Sequence, residues 1–465
     1  MKVIVENLGI LKQAEFEVGD LTIICGANNT GKTYATYALY GFLTFWNEAF
    51  ACDSIGEEDY TQLMKQGSIK VKLGKTADAA QRFVDDACEE YVKTLPMIFG
   101  AGKKSFSDAS FRLVIGGIDV GKIDQKRYTK GPDGRALCEM SKAKGESFVS
   151  INITANSEEV NALDRDWFLY QLNRDIQCIL FGAVFPAPFI ASIERTGAAM
   201  FQKELDIYRN RLLEQIGNRD KVLDLMDLLS AYQDGRYALP VRRDVDFIRD
   251  LENVAKFDGV LAEQNPAILS LFDMLAGGEY RATKEGLYYI PDKSKTRLTM
   301  GESASSVRSL LNLGMYLRHF AGPGDFLMID EPELNLHPRN QRLMARLLAK
   351  LSNAGIRVFI TTHSDYILKE FNTLIMMQDA GASAKHIIEK YKYEEDELLD
   401  ASRVRAYIAK KELTKIEGRL GRRQMRNTFT EAPIGAQGIE IMEFDETINT
   451  MNAIQEQLLY GEGSL

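Results

Sequence analysis

Residues 26–33, GANNTGKT, decide the fold of this chain. The apolar run LTIIC at 21–25 predicts a buried strand before them, and YATYALYGFL at 34–43 predicts a helix after them. A glycine-rich loop between a strand and a helix is typical of a P-loop, whose backbone N–H groups surround phosphate oxygens. In that arrangement Lys32 reaches the β- and γ-phosphates of ATP, and the Thr33 hydroxyl binds Mg²⁺. The predicted ATP-binding residues are Gly26, Asn28, Asn29, Gly31, Lys32 and Thr33.

A second stretch, FLMIDEPELNLHP at 326–338, predicts the other half of such a site. Its apolar run predicts a buried strand that ends at Asp330, with Glu331 directly after it. Asp330 is the predicted Mg²⁺ ligand, and Glu331 is the predicted base that activates water for attack on the γ-phosphate. The run VFITTHS at 358–364 predicts another strand. His363 at its end is a second candidate catalytic residue, able to hydrogen-bond the γ-phosphate or the attacking water.

The order of these motifs resembles the ABC-type ATPases, in the branch that includes RecF-like, SMC-like and OLD proteins. The resemblance implies a signature segment that contacts the ATP held by a second copy of the chain. The candidate is LTMGESASSVRSLLNLGMYLRH at 298–319, which departs from the familiar LSGGQ form. We expect Ser305 and Ser306 to contact that ATP in trans, and Ser303 competes with them. A serine could also cap the helix that is predicted to follow, and the two roles are compatible.

Three stretches resemble one bacterial subgroup of this branch, and the first, NNTGKTYATYALYG at 28–41, is similar to its P-loop. PFIASIERTG at 188–197 resembles the subgroup's strand and Glu-Arg pair. ELNLHP at 333–338 resembles its D-loop, which lies along the dimer seam in related proteins, and Asn335 and His337 are the D-loop candidates. Such proteins are commonly the ATPase subunits of two-gene anti-phage systems of the PARIS and Septu types. The resemblance implies an ATP-dependent dimer within a higher-order homo-oligomer, a separate effector, expected to be a nuclease, and a phage-encoded trigger.

The composition limits the remaining functions. The 465 residues and their 45% apolar content suffice for two or three structural units with a sizeable core. The N-terminus MKVIVENLGI enters a strand pattern at once, and no apolar run reaches the roughly 20 residues of a membrane span, so we expect a cytoplasmic protein without a membrane partner. Five cysteines without metal-type spacing predict reduced, buried thiols, and four histidines argue against a zinc site or an HNH nuclease.

A basic stretch near the C-terminus keeps nucleic acid open as a partner, although the net charge of −9 argues against a chain that coats DNA. We expect this stretch to include a helix with a basic face. A solvated or subunit-contact face is the alternative, and it is at least as well supported. The stretch contains Arg403, Arg405, Lys410, Lys411, Lys415, Arg419, Arg422, Arg423 and Arg426. The contact candidates are Arg419, Arg422, Arg423 and Arg426.

These patterns together predict an α/β fold: an ABC-ATPase (P-loop NTPase) core with an N-terminal antiparallel β-layer and helical insertions. Residues 1–18 are expected to form an antiparallel pair beside the first parallel strand. The predicted units are the first part of the core with the P-loop (1–45), an insertion of mixed α/β character (46–184), a core strand (185–197), a helical subdomain (198–275), the second part of the core with the signature, Asp330, the D-loop and His363 (276–390), and a C-terminal segment with the basic stretch (391–465).

Two functions remain as hypotheses. The first is a Mg²⁺-dependent ATPase that acts as sensor and scaffold of an anti-phage system and has no nuclease activity of its own. DELLD at 396–400 does not match the acidic pattern of an OLD nuclease, which places any nuclease in a separate protein. The second is a RecF-like DNA-binding ATPase of repair or recombination, whose hydrolysis would be stimulated by DNA.

Overall fold

The computed structural model describes most of the chain. The described residues are 1–49, 52–102, 104–131, 134–156, 160, 163–201, 237–256, 258–283, 286–415, 423–440 and 442–460. The middle of the predicted helical subdomain, residues 202–236, therefore lies outside them.

The strands and helices are numbered along the described chain. The strands are β1 (Lys2–Leu8), β2 (Leu11–Glu17), β3 (Leu21–Gly26), β4 (Ser68–Lys72), β5 (Ser110–Val114), β6 (Gln125–Lys130), β7 (Ala136–Lys142), β8 (Phe148–Ile153), β9 (Pro188–Ala191), β10 (Gly278–Thr283), β11 (Gly286–Pro291), β12 (Leu298–Thr299), β13 (Phe326–Asp330), β14 (Arg357–Thr362), β15 (Val404–Lys415), β16 (Arg423–Glu431), β17 (Ile434–Gly435) and β18 (Gly438–Ile439). The helices are α1 (Lys32–Ala49), α2 (Glu57–Gln66), α3 (Gly74–Asp78), α4 (Ala80–Val92), α5 (Leu95–Phe99), α6 (Arg165–Phe181), α7 (Leu239–Val254), α8 (Val260–Gln264), α9 (Pro266–Ala276), α10 (Ser305–His319), α11 (Pro338–Asn353), α12 (Asp365–Ala380), α13 (Lys385–Tyr391) and α14 (Met442–Tyr460).

One large sheet organises the molecule. Among the described strands its order is β5-β1-β2-β16-β15-β3-β14-β13-β9. Strands β15, β3, β14, β13 and β9 are parallel, so their carboxyl ends lie at the same edge. The residues at or just beyond that edge include Gly26, Asp330 and His363. Ligands of parallel sheets bind outside the carboxyl ends of the strands, so the topology gathers the predicted site residues there.

The side chains of the sheet pack into two cores, one on each face. Along β3, Ile24 belongs to the core that contains α1 and α6, whereas Ile23 and Cys25 belong to the core that contains α10, α11 and α12. Alternation of this kind follows from the two-residue period of a strand. Because both faces are covered, β3, β13 and β14 are apolar almost throughout, as parallel strands usually are.

The prediction that the N-terminal antiparallel pair lies beside the first parallel strand is wrong. Strands β1 and β2 do pair antiparallel, with Val3 opposite Phe16. However, β16 and β15 lie between β2 and β3, the first parallel strand. Strands from the C-terminal part of the chain therefore fill the place that the sequence assigned to the N-terminal pair.

The prediction of a helix in the basic stretch is also wrong, because the described part of that stretch is a β-hairpin. Strand β15 pairs parallel with β3, from Val404 opposite Leu21 to Ala409 opposite Gly26, and antiparallel with β16. Val404 and Ala406 are each 1% exposed and lie on either side of the half-buried Arg405, which is the period of a strand. Pairing with β3 and burial of these positions outweigh the local charge pattern.

The predicted insertion at 46–184 contains an antiparallel sheet of its own, with the described strands in the order β4-β8-β7-β6. Strand β5 from the same region instead joins the edge of the large sheet beside β1. Within the described residues, no helix combines the length and the apolar character needed to cross a membrane.

Candidate functional site

The loop between β3 and α1 has the backbone of a glycine-dependent turn. Gly26, Asn29 and Gly31 have φ values of 134°, 61° and 100°, a region that favours glycine. A Cβ on Gly26 would lie 2.3 Å from the carbonyl oxygen of Ala409, and one on Gly31 would lie 2.9 Å from the Cβ of Leu11. Both glycines are therefore needed where β15 and β2 approach the loop.

Lys32 begins α1 and closes this loop. Its ammonium donates hydrogen bonds to the carbonyl oxygens of Gly26, at 2.8 Å, and Ala27, at 2.9 Å. Lys32 is 6% exposed, and burial lowers its pKa against the opposing effect of nearby carboxylates. Asn28 and Asn29 are exposed at the loop tip. A buried ammonium beside an open loop suits an anionic ligand, because burying a cation costs free energy unless a counter-charge meets it.

Asp330 and Thr33 meet between β13 and α1. The Thr33 hydroxyl donates to Oδ2 of Asp330 at 3.0 Å, and the Thr361 hydroxyl donates to Oδ1. Asp330 is 1% exposed, and burial raises its pKa while the two hydroxyl hydrogen bonds act against that rise. Hydroxyl and carboxylate oxygens together are the ligands that Mg²⁺ prefers in proteins.

Glu331 has a left-handed backbone conformation, with φ of 53°. This conformation costs a non-glycine residue roughly 1–2 kcal/mol. Its N–H donates to the carbonyl oxygen of Thr361, at 3.1 Å, and to the Thr361 hydroxyl, at 3.2 Å. Its carbonyl oxygen accepts a hydrogen bond from Nη2 of Arg195 at 2.7 Å. Contacts on both sides of the residue thus hold the unusual turn that follows β13.

His363 lies between two carboxylates. Its Nδ1 is 3.4 Å from Oε1 of Glu331 and 3.4 Å from Oε1 of Glu333. The interaction with Glu331 raises the pKa of His363 and lowers the pKa of Glu331, so both shifts favour an ion pair. Burial raises the pKa of Glu333, which accepts hydrogen bonds from the His363 N–H at 2.8 Å and the Thr362 hydroxyl at 2.9 Å. The site thus presents a paired imidazole and carboxylate at the edge of the sheet.

The sequence match fixes the family of this chain. A model of the AAA ATPase domain matches residues 1–161 and 245–368, which is more than half of the chain. The chain belongs to the AAA ATPase domain family. The two matched segments include the P-loop, Asp330, Glu331 and His363.

Heads of SMC proteins are among the solved structures similar to this AAA ATPase. An Smc head bound to the C-winged helix domain of ScpA is 13% identical over 79% of this chain and 91% of that one, with a TM-score of 0.30. An Smc head with an extended coiled coil, bound to the C-terminal domain of ScpA and derived from Pyrococcus furiosus, is 12% identical over 98% of both chains, with a TM-score of 0.31. The SMC head of Thermotoga maritima is 12% identical over 79% of this chain and 90% of its own, with a TM-score of 0.24. No curated protein matches the sequence. The family assignment therefore rests on the sequence match.

A buried arginine lies behind the site of the AAA domain. Arg195 is 3% exposed and donates hydrogen bonds to four main-chain carbonyl oxygens at 2.7–2.9 Å. The acceptors are the carbonyl oxygens of Ser192, Ser309, Asp330 and Glu331. Sequence reasoning gave this arginine no role of its own, and its one signal was the Glu-Arg pair after a predicted strand.

A buried aspartate accompanies that arginine. Asp244 of α7 is 1% exposed and accepts hydrogen bonds from the Ser192 N–H, at 3.0 Å, and from Nδ2 of Asn312 in α10, at 2.6 Å. Burial raises the pKa of Asp244 to about 6, against the effect of these hydrogen bonds and of Arg195. Sequence reasoning missed Asp244, because nothing near it in the chain marks it as buried.

The signature candidates of the ATPase lie at the start of α10. The N-cap residue is Ala304, so the serine cap weighed as an alternative is not formed. Ser305 is exposed and Ser306 is half-buried, and they are the first two residues of the helix. Ser303 is 5% exposed, and its hydroxyl donates to the carbonyl oxygen of Thr299 at 2.8 Å. Ser305 and Ser306 are therefore more accessible to another molecule than Ser303 is.

Both D-loop candidates lie at the surface beyond β13. Asn335 is exposed and has φ of 60°, which asparagine tolerates better than most residues. His337 is exposed and is the N-cap of α11, where its Nδ1 accepts a hydrogen bond from the Arg339 N–H at 3.3 Å. The P-loop, Asp330, Glu331 and His363 are thus brought together, with the D-loop beside them.

The basic contact candidates are described only in part. Arg419 and Arg422 lie outside the described residues, and Arg423 is described by its backbone alone. Arg426 is half-buried in β16, opposite Glu412 of β15.

Other basic residues of this stretch have acidic neighbours. Arg403 lies 2.7 Å from Asp20, and Arg405 lies 3.7 Å from Glu17. The hairpin also reaches the P-loop, because Nδ2 of Asn427 donates to the carbonyl oxygen of Asn29 at 3.3 Å. These contacts are structural, and they favour a supporting role for the described part of the hairpin.

Proposed function

We propose that this chain is an ABC-type ATPase that binds ATP and Mg²⁺ between two of its copies and serves as the sensor and scaffold of an anti-phage system. The observation that carries the ATPase part is the 3.0 Å contact between the Thr33 hydroxyl and the Asp330 carboxylate. This contact joins the P-loop helix to the strand that leads to Glu331, at the edge where parallel sheets bind ligands.

The residues at this edge fit a magnesium nucleotide. Thr33 and Asp330 would supply oxygen ligands to Mg²⁺, which takes few protein ligands and keeps other positions for water and phosphate. Bound Mg²⁺ would neutralise charge on the β- and γ-phosphates. Lys32 would exchange its carbonyl partners for phosphate oxygens, since its ammonium already lies at the mouth of the loop.

Glu331 and His363 would carry out the proton chemistry. The lowered pKa of Glu331 keeps its carboxylate ionised and able to accept a proton from water. The raised pKa of His363 favours an imidazolium, which can donate a hydrogen bond to the γ-phosphate.

The composite site would be completed by α10 of the second copy. Ser305 and Ser306 would contact the γ-phosphate in trans, because the first N–H groups of a helix have no partner within the helix and attract anions. Ala304 has no side chain oxygen to satisfy them. Asn335 and His337 would lie along the seam between the copies, as the resemblance of residues 333–338 to a D-loop implies.

The defence role rests on the resemblance of residues 188–197 and 333–338 to the PARIS and Septu ATPases. In this proposal ATP holds the copies together within a higher-order homo-oligomer, and a phage-encoded trigger changes the balance between two assemblies. A ligand can do so only if it binds one state more tightly. The effector, a separate nuclease, would be held in one assembly and released from the other.

The test is co-expression of the Glu331→Gln chain from its native gene neighbourhood, with purification in ATP and Mg²⁺. The matched control carries Lys32→Ala in addition, which removes the phosphate-binding ammonium. We expect a stoichiometric complex with the neighbouring gene's product that Lys32→Ala weakens. A chain that stays free of that product in both forms contradicts the scaffold role. Nucleic acid in place of a protein, with ATP hydrolysis stimulated by DNA, supports the RecF-like alternative instead.

A further inference from the structure

We infer that Arg195 is a positioning residue: it fixes the main chain of Glu331 and ties it to α10, the helix that begins with the signature serines. The inference rests on the proposed ATPase with its signature in trans. The guanidinium of Arg195 reaches the site through main-chain oxygens: it donates to the carbonyl oxygens of Asp330 and Glu331.

The first half of this link joins Arg195 to the catalytic turn. Nη1 donates to the carbonyl oxygen of Asp330 and Nη2 to that of Glu331, both at 2.7 Å. These are consecutive peptide groups, and the second belongs to a residue with φ of 53°. A charged donor on two successive carbonyl oxygens restrains the peptide between them, so the direction of the Glu331 side chain depends on where the guanidinium lies.

The second half joins the same guanidinium to α10. Nε of Arg195 donates to the carbonyl oxygen of Ser309 at 2.9 Å. Ser309 lies one helical turn after Ser305 and Ser306, and its own hydroxyl donates to the carbonyl oxygen of Ser306 at 2.9 Å. A helix moves as a rigid rod over such a distance, so a shift of the serines is passed to the carbonyl that Arg195 holds.

A third element holds the guanidinium in place. Nη1 of Arg195 also donates to the carbonyl oxygen of Ser192 at 2.7 Å, and the N–H of Ser192 is bound by Asp244. The other oxygen of Asp244 accepts from Asn312 in α10. The carboxylate and the guanidinium therefore bind the same two elements, the segment after β9 and α10, which makes a junction with little freedom to adapt.

This junction has a consequence for a dimer. The α10 serines of one copy would contact the ATP of its partner, while Arg195 in the same copy holds its own Glu331. When α10 of one copy binds the partner's nucleotide, the position of α10 would determine, through Arg195, how Glu331 is oriented in that same copy. Binding of ATP at one site would therefore change catalysis at the other, through Arg195 of each copy.

Arginine is required for this role, because its planar fork offers five N–H groups in fixed directions. Lysine keeps the charge, but its single ammonium cannot follow the same fork to all four carbonyl oxygens. Arg195→Lys is therefore the test variant. The matched control is Arg346→Lys on α11, whose guanidinium binds the buried Glu397 at 2.8 Å and the carbonyl oxygen of Lys392 at 2.7 Å, away from the site.

The experiment measures ATP hydrolysis against ATP concentration, with nucleotide affinity measured separately by a fluorescent ATP analogue. We expect kcat of Arg195→Lys to fall on the order of 100-fold, the effect of a displacement of about 1 Å at a reacting group. Nucleotide affinity should stay within about threefold, because the phosphate contacts are intact. The Hill coefficient should fall from above one in the unchanged protein to one. Arg346→Lys should leave all three quantities unchanged.

Three results would overturn the inference: wild-type kcat in Arg195→Lys, an equal loss of kcat and nucleotide affinity, or a Hill coefficient of one in the unchanged protein. If Arg195→Lys does not fold, Asp244→Asn replaces it, with a loss of about tenfold in kcat expected at unchanged affinity. An unchanged kcat in a folded Asp244→Asn chain then overturns the inference. Failure of the proposed function would look different, because the unchanged protein itself would not hydrolyse ATP.

Discussion

The charged side chains of Asp330 and Lys32 at the carboxyl edge of the large sheet are buried, whereas those described along the β15–β16 hairpin are at least partly exposed. At the edge, Asp330 is 1% exposed and Lys32 is 6% exposed. On the hairpin, Arg405 and Glu17 lie 3.7 Å apart with side chains 34% and 55% exposed. Removing a charge from water costs several kcal/mol, whereas an exposed pair contributes about 1 kcal/mol or less.

This contrast indicates which charged side chains are suited to bind a ligand. Burial raises the pKa of Asp330 and lowers that of Lys32, so at both residues the fold works against the charged form. Strained or desolvated groups that gather at one edge mark a site for a ligand that compensates them. The hairpin charges need no such ligand, because neighbouring acids and water already satisfy them.

One carboxylate-to-amide substitution in each region should give very different rates of ATP hydrolysis. Glu331→Gln keeps the shape of the side chain and removes the proposed base, so kcat for ATP hydrolysis should fall by about 10²- to 10⁴-fold while ATP still binds. Glu17→Gln, the same change beside the hairpin, should leave kcat unchanged. Steady-state hydrolysis and ATP binding measure both. Equal rates in the two variants would remove Glu331 from the mechanism.

The next effect tests the cost of buried charge through Asp244. Its folded-state pKa is raised to about 6, so the stability it contributes is fully present below the unfolded value near 4 and is lost as pH rises through 6. Asp244→Asn does not titrate. The free energy of unfolding of Asp244→Asn minus that of the unchanged protein should therefore rise by about 2 kcal/mol between pH 4 and pH 7. Denaturant unfolding at both pH values measures it, and a difference that does not vary with pH would rule out the raised pKa.

A smaller effect concerns the ion pair at the edge of the sheet. The raised pKa of His363 means that the imidazolium, and the hydrogen bond it donates, is present at lower pH and is lost as pH rises through a value above 6.5. The hydrolysis rate should therefore decline on the alkaline side. The Gln side chain donates a hydrogen bond at every pH, so His363→Gln should lack this alkaline decline. Because Gln is uncharged, this variant should also be about tenfold slower at neutral pH. A decline that persists in His363→Gln would assign it to another group.

The smallest effect is expected at the hairpin. Arg405→Ala removes an exposed pair and should change the free energy of unfolding by less than about 1 kcal/mol. ATP hydrolysis should be unaffected, because Arg405 lies near the start of β15, away from the carboxyl edge. Thermal or denaturant unfolding measures the first quantity. A loss of several kcal/mol, or of activity, would break the distinction between the two regions.

Local sequence was sufficient where a motif and its structure coincide. The P-loop needs only the strand, the glycines and the helix that follow one another in residues 21–43, and all three are present in the structure. The strand that ends at Asp330 was predicted for the same reason. Both motifs consist of neighbours in the chain, so their pattern is visible without knowledge of the fold.

Distant pairing was not visible in the same way. Strand β15 is specified by its pairing with β3, which lies far away in the chain. The charges at Lys410 and Lys411 suggested a helix face, although the buried Val404 and Ala406 on either side of Arg405 follow the period of a strand. Arg195 was hidden because its partners are main-chain oxygens, which every residue has. A side chain that recognises backbone leaves no complementary residue in the sequence to predict it from.

Mixing two inactive chains tests whether two copies share each ATP site. One chain carries Lys32→Ala, and the other carries Ser305→Ala and Ser306→Ala. If two copies share each ATP site, the mixed dimer contains one intact site, with the P-loop of the second chain and the serines of the first. We predict that ATP hydrolysis returns on mixing, at a reduced rate, because α10 of the second chain meets no bound nucleotide and the coupling through Arg195 is lost in that chain. Hydrolysis that stays absent, although the two chains associate, would contradict a site built from two copies.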